Sequence, residues 1–121
     1  MIRRRILVIE DDPGLATMYQ LALSSAGFQV DVAGDGLTAL EDIDEDHPDL
    51  VILKLKLPQL DGRTILREVA ATPDTCNIPV IVITAEDAEG VPGTSTVLLK
   101  PFDPALLVAA VEQQFHKVAA A

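Results

Sequence analysis

The side chains able to do chemistry in this sequence fall into four short stretches. Glu10-Asp11-Asp12 follows the apolar run Ile6–Ile9, Lys54 follows Leu50–Leu53, Thr84 follows Val80–Ile83, and Lys100 follows Val97–Leu99. Neighbouring carboxylates suit a hard divalent cation such as magnesium, which takes oxygen ligands. A hydroxyl and an ammonium group beside them suit phosphate oxygens. The chemistry is that of metal and phosphate, provided that the fold brings the four stretches together.

The elements that would do so are legible. The four runs are short, rich in β-branched residues and without alternation, which is how strands covered on both faces of a parallel sheet read. A fifth segment, Phe28-Gln29-Val30-Asp31-Val32, alternates apolar and polar and predicts an edge strand. Helical patterns lie between the strands. Asp12-Pro13 gives a cap and a first-turn proline; Leu15, Met18, Tyr19, Ala22 and Ala26 follow at helical spacing, and Gly27 can close the helix. Leu37, Leu40 and Ile43 mark a second helix ending before Pro48, and Ile65, Leu66 and Val69 a third. Asp103-Pro104 repeats the start signal before Leu107, Ala110, Val111 and Phe115. Between Ala85 and Thr96, Gly90, Pro92 and Gly93 interrupt any helix, so the fourth helix is expected to be shortened or lost. The pattern predicts an α/β fold: a doubly wound, five-stranded parallel sheet of flavodoxin-like order 2-1-3-4-5, with right-handed crossovers and any site at the carboxyl ends of the strands.

A length of 121 residues suits one domain over 1–121, with Ala119–Ala121 expected to fray. The hydrophobic fraction of 49% argues against disorder. A net charge of −10 with nine basic residues argues against nucleic acid and anionic membrane as partners. The single cysteine, Cys76, permits no internal disulfide and fits a reducing, cytoplasmic setting. No apolar run approaches the ~18 residues of a membrane span. Gly34-Asp35-Gly36-Leu37-Thr38-Ala39 matches a dinucleotide-binding pattern, but it follows the second strand and lacks a downstream ribose acid, so local helix capping explains it better. Asp61-Gly62 reads as a turn.

Taken in order, Ile6-Leu7-Val8-Ile9-Glu10-Asp11-Asp12, Pro48 through Gly62, Ile83-Thr84-Ala85 and Leu98-Leu99-Lys100-Pro101-Phe102 resemble response-regulator receiver domains over nearly the whole chain. The resemblance implies a domain that takes a phosphoryl group from a histidine kinase onto an aspartate with magnesium assistance. It implies that Asp11 and Asp12 are the metal-site acids, Thr84 the switch hydroxyl and Lys100 the phosphate-contacting lysine, with Lys100-Pro101 a cis peptide. Three departures stand out. Lys54, four residues before Pro58, occupies the phospho-acceptor position, and an ammonium group cannot form an aspartyl phosphate. Val97 occupies the aromatic switch position. Only 15 residues separate Thr84 from Lys100.

The charge count follows from the first departure. Asp11, Asp12, an acceptor aspartate and Lys100 would sum to −2; with Lys54 the sum is zero, and attraction for a dication fades. The expectation is a degenerate phosphorylation site of Asp11, Asp12, Lys54, Thr84 and Lys100, with no catalytic residue, no enzymatic activity, no bound magnesium, and Asp11 and Asp12 as vestigial ligands. The chain would act as an atypical receiver, a phosphorylation-independent protein-interaction module in signal transduction. Its partners would be proteins: a histidine kinase, an output domain or a second copy. The alternatives are a receiver that still accepts phosphate on a neighbouring acid, and a flavodoxin-like small-ligand-binding domain.

Overall fold

The computed structural model describes residues 3–85, 96–100 and 102–120, with side chains described to residue 116. Five strands, β1 (Arg5–Ile9), β2 (Gln29–Ala33), β3 (Leu50–Lys54), β4 (Val80–Thr84) and β5 (Thr96–Leu99), alternate with α1 (Pro13–Ser25), α2 (Gly36–Asp46), α3 (Gly62–Ala71) and, after β5, α4 (Pro104–Ala120). All pairings are parallel, in the order β2-β1-β3-β4-β5. Both the element order and the sheet order agree with the sequence reading. The expected loss of a fourth helix falls on residues 86–95 and the expected cis peptide on Pro101, both outside the described residues.

The sheet divides the core in two. On one face Ile6, Val8, Ile52, Ile81, Ile83 and Leu98 pack against α1 and α4. On the other, Leu7, Ile9, Val51, Leu53, Val80 and Val82 pack against α2 and α3. Alternate residues of β1, β3 and β4 thus serve opposite layers, which is why these runs show no polar alternation.

Helix caps behave as their side chains dictate. Asp35 caps α2 by accepting from the Thr38 N–H at 2.8 Å and the Thr38 hydroxyl at 3.1 Å. The glycine-rich stretch before α2 is therefore a local cap. Gly36 has a packing role as well, since a Cβ there would lie 2.7 Å from Leu60 Cβ. Gly27 has φ of +100° just past α1, the left-handed conformation expected of it. His47 ends α2 in the left-handed region at φ 45°.

The buried face of α1 differs from the expected one. Ala16, Tyr19 and Leu23 are buried, whereas Met18 is 37% exposed. Apolar residues occupy nearly every side of α1, so periodicity alone leaves its rotation open. In α2, Ile43 is buried as expected, but Ala39 faces the core while Leu37 is 54% exposed. The expected core residues of α4, Leu107, Ala110, Val111 and Phe115, are all buried. That helix continues through Ala120, in keeping with alanine's high helix propensity.

Candidate functional site

The carboxyl ends of β1, β3, β4 and β5 bring Glu10, Asp11, Lys54, Thr84 and Lys100 to one edge. Parallel pairing sets their levels: Ile9 lies opposite Leu53, Lys54 opposite Ile83, and Thr84 opposite Leu99. The Lys100 N–H extends the ladder by donating to the Thr84 carbonyl at 2.9 Å.

Glu10 is the innermost acid. Its N–H donates to the Ala33 carbonyl at 3.1 Å, which keeps it in the ladder beyond β1, and its side chain is 1% exposed. A buried carboxylate is costly unless it is paired. Two ammonium groups meet this one. Lys54 Nζ lies 3.3 Å from Oε2 and Lys100 Nζ 3.6 Å from Oε1. The second separation is an ion pair rather than a hydrogen bond, and Oε1 is a buried oxygen without a hydrogen-bond partner among the described residues. Oε2 also accepts from the Asp12 N–H at 3.1 Å.

Lys54 Nζ makes its shortest contact with Asp11, donating to Oδ1 at 2.7 Å. That hydrogen bond is the main reason the Asp11 carboxyl lies below its ordinary pKa and the Lys54 ammonium above its own. Both groups stay charged across the neutral range.

The loop after β3 fixes the lysine from behind. The Gly62 N–H donates to the Leu55 carbonyl at 2.8 Å. A Cβ at Gly62 would come within 2.7 Å of Leu55 Cα, Leu55 O and Lys54 O, all backbone atoms. Gly62 is thus required for α3 to approach the end of β3, a stronger role than the turn expected there. Gln59, at φ 70°, completes the bend.

Asp12 does not join the cluster. Its side chain accepts from the Leu15 N–H at 3.1 Å and caps α1. The two acids that converge on lysine are therefore Glu10 and Asp11, one residue earlier than the expected Asp11 and Asp12. The signal was in the sequence: an aspartate followed by proline at a helix start is already committed as a cap. Val97 lies on β5 among the exposed apolar residues. Its neighbour Thr96 accepts a hydrogen bond from Gln114 of α4 at 2.7 Å, and Leu98 packs in the α4-side core, so Val97 turns to the other face.

Beside the ion pairs is a cavity of about 90 Å³, lined by Lys54, Lys56, Ile83, Thr84, Ala85 and Lys100. Next to the acids, Tyr19 is buried and stacks on Phe102 with centroids 5.9 Å apart. Burial, with a smaller contribution from the Glu10 charge, pushes its phenol pKa up. Among the described residues no group of three or more His, Cys, Asp or Glu side chains is arranged to hold a metal ion.

A model of the response regulator receiver domain family matches residues 6–112. The chain belongs to that family. This receiver domain is 38% identical over 122 residues to the DNA-binding response regulator MtrA of Mycolicibacterium smegmatis, a match covering 96% of the chain and 52% of the relative. It is 36% identical to the response regulator PleD of Caulobacter vibrioides over 113 residues, 88% of the chain and 25% of that protein. The receiver domain thus spans about half the length of the MtrA relatives and less of PleD. Among solved structures it resembles the receiver domain of the sensor histidine kinase PA1611 from Pseudomonas aeruginosa, described with magnesium coordinated in its active-site cleft. That likeness has a TM-score of 0.86 and 29% identity over 93% of this chain and 97% of the other. The Francisella response regulator 1452 receiver domain gives a TM-score of 0.86 and 26% identity over 96% and 99%. The domain is a signal-transduction receiver. No helix among its described residues is long and apolar enough to cross a membrane.

Proposed function

We propose that this receiver domain works without phosphoryl transfer, as a protein-interaction module whose Lys54 ammonium stands where a receiver would carry its acceptor carboxylate. The observation that carries this reading is the Lys54 Nζ contact with both acids, at 2.7 Å to Asp11 and 3.3 Å to Glu10. Receiver chemistry implies magnesium at such acids. The donor set here does not fit it: Glu10, Asp11, Lys54 and Lys100 sum to zero charge, and an ammonium group already occupies the space between the carboxylates. Magnesium binding is therefore lost in this reading, and the domain is not an enzyme. It signals through contacts with proteins: a histidine kinase, an output domain or a second copy. Its relatives include proteins named as DNA-binding regulators. The net charge of −10 assigns any nucleic-acid contact to a segment other than this domain. The cytoplasm is the setting this role requires.

The test is incubation with acetyl phosphate and magnesium, followed by phosphoprotein electrophoresis. No retarded band is expected. A retarded band that disappears in Asp11→Asn would place the phosphoryl group on a neighbouring acid and refute the proposal.

A further inference from the structure

We infer that the cavity between the edge strand β2 and α2 receives the guanidinium group of an arginine carried by a basic segment of a partner protein. The cavity holds about 300 Å³, at the small end of the range for ligand sites, roughly 300–1,000 Å³. One residue of the edge strand opens it. Leu7 of β1 faces the layer of α2 and α3. Asp31 of β2 lies opposite Leu7 in the parallel register, so both project to the same face of the sheet. An apolar residue at position 31 would extend the core beneath α2, whereas an aspartate leaves the space open and charged. Asp42 and Asp46, one turn apart on α2, complete the wall with Arg5 and Pro48.

The charges in the cavity are unequally committed. Arg5 belongs to Asp46: its Nη1 donates to the Asp46 carbonyl at 2.9 Å, and its Nη2 lies 3.9 Å from Asp46 Oδ2. The carboxylates of Asp31 and Asp42 have no hydrogen bond or ion pair among the described residues. Arg5, Asp31, Asp42 and Asp46 sum to −2. A guanidinium group presents a planar fork of donors that can bridge carboxylates on two elements, here one on β2 and one on α2, whereas an ammonium group acts as a point charge. The apolar stem of the arginine lies along Leu7 and Pro48. The surroundings select a basic protein segment over other occupants. Between Asp31 and Asp49 the chain carries eight acids and no lysine or arginine, so basic residues flanking the arginine are attracted as well. A second copy of this domain, itself at −10, is repelled. The cavity includes the first residue of β1 and the proline before β3, whereas Lys54 ends β3, and neither site uses a residue of the other.

The probe is the peptide acetyl-Lys-Gly-Arg-Gly-Lys-amide, titrated at constant ionic strength with amide resonances followed by NMR. Saturable shifts centred on Leu7, Asp31, Asp42 and Asp46 are expected, with Kd on the order of 0.1–1 mM. Citrulline in place of the peptide's arginine keeps the shape, removes the charge and should weaken binding about tenfold, the equivalent of one charge-assisted hydrogen bond. Asp42→Asn and Asp31→Asn should each weaken it about tenfold as well. Glu41→Gln, which removes an equal charge from an exposed neighbouring position of α2, should change Kd less than about twofold. Equal losses in Asp42→Asn and Glu41→Gln would reduce the effect to overall charge and overturn the inference, as would shifts that stay linear to about 10 mM, far above the expected Kd. N-acetylarginine amide binding as tightly as the peptide would give the cavity to a free small molecule and overturn it too. The two proposals fail separately: acetyl phosphate labelling refutes only the first, and a peptide that does not bind refutes only the second.

Discussion

Replacing Lys54 with aspartate should convert a self-neutralised site into one that depends on magnesium. In the parent, Glu10 and Asp11 face Lys54 and Lys100, two negative charges against two positive. Lys54→Asp makes this three against one, a sum of −2. The loss is larger than that of a surface ion pair, about 0–1 kcal/mol, because Glu10 is 1% exposed and Lys54 only 25%. It falls short of the upper values for removing one partner of a fully buried pair, about 3–5 kcal/mol, because Lys100 stays and the site lies at an edge. About 3 kcal/mol is the expected destabilisation without metal. For 121 residues the unfolding entropy is roughly 0.25 kcal/mol per degree, so Tm should fall by about 12 °C. Magnesium at about 10 mM, acting on a site of roughly millimolar affinity, should restore about 1.4 kcal/mol. The parent should not respond. Urea unfolding at constant ionic strength, with and without magnesium, measures both quantities. A variant within about 0.5 kcal/mol of the parent would show that the Lys54 contacts contribute nothing. A destabilised variant that ignores magnesium would show that Glu10 and Asp11 are not arranged as ligands.

Three further outcomes follow from the same geometry. Asp11 has its pKa lowered by Lys54, so its contribution to stability is present above its ordinary value of 3.8 and is lost as pH falls through the lower folded value; Asp11→Asn should flatten that acid limb in urea midpoints measured from pH 5 to about 2. Asp12→Ala should cost about 1 kcal/mol as a lost helix cap while leaving the Lys54 side-chain resonances in place, and their movement would return Asp12 to the charged cluster. Gly62→Ala should cost about 2–3 kcal/mol, because the new methyl meets backbone atoms of Lys54 and Leu55 at 2.7 Å; a neutral result by thermal unfolding would mean that the loop after β3 yields freely.

The strands were legible because parallel strands buried on both faces leave unbroken apolar runs, and each observed strand begins and ends within a residue or two of its run. Lys54 was legible from its spacing to Pro58 and from the end of its run. Glu10 was not, because a carboxylate next to two aspartates reads as one more exposed acid. Only the continuation of the ladder through its N–H to Ala33 carries it inside. The rotation of α1 was equally hidden, since Met18 and Leu21 offer an alternative apolar face and the sheet chooses Ala16, Tyr19 and Leu23, with Leu15 packed beside them. Asp61-Gly62, read as a turn, is instead the start of α3, and the steric role of Gly62 depends on the path of another segment and has no local signature.

The hydrogen bond between Lys54 and Asp11 joins residues 43 positions apart. Such a contact exists only once β3 has docked beside β1, and forming it costs the entropy of closing the intervening loop. It cannot guide the early search for the fold. An interaction absent from the folding transition state leaves the folding rate almost unchanged and slows unfolding instead. The lysine thus lengthens the lifetime of the assembled sheet edge.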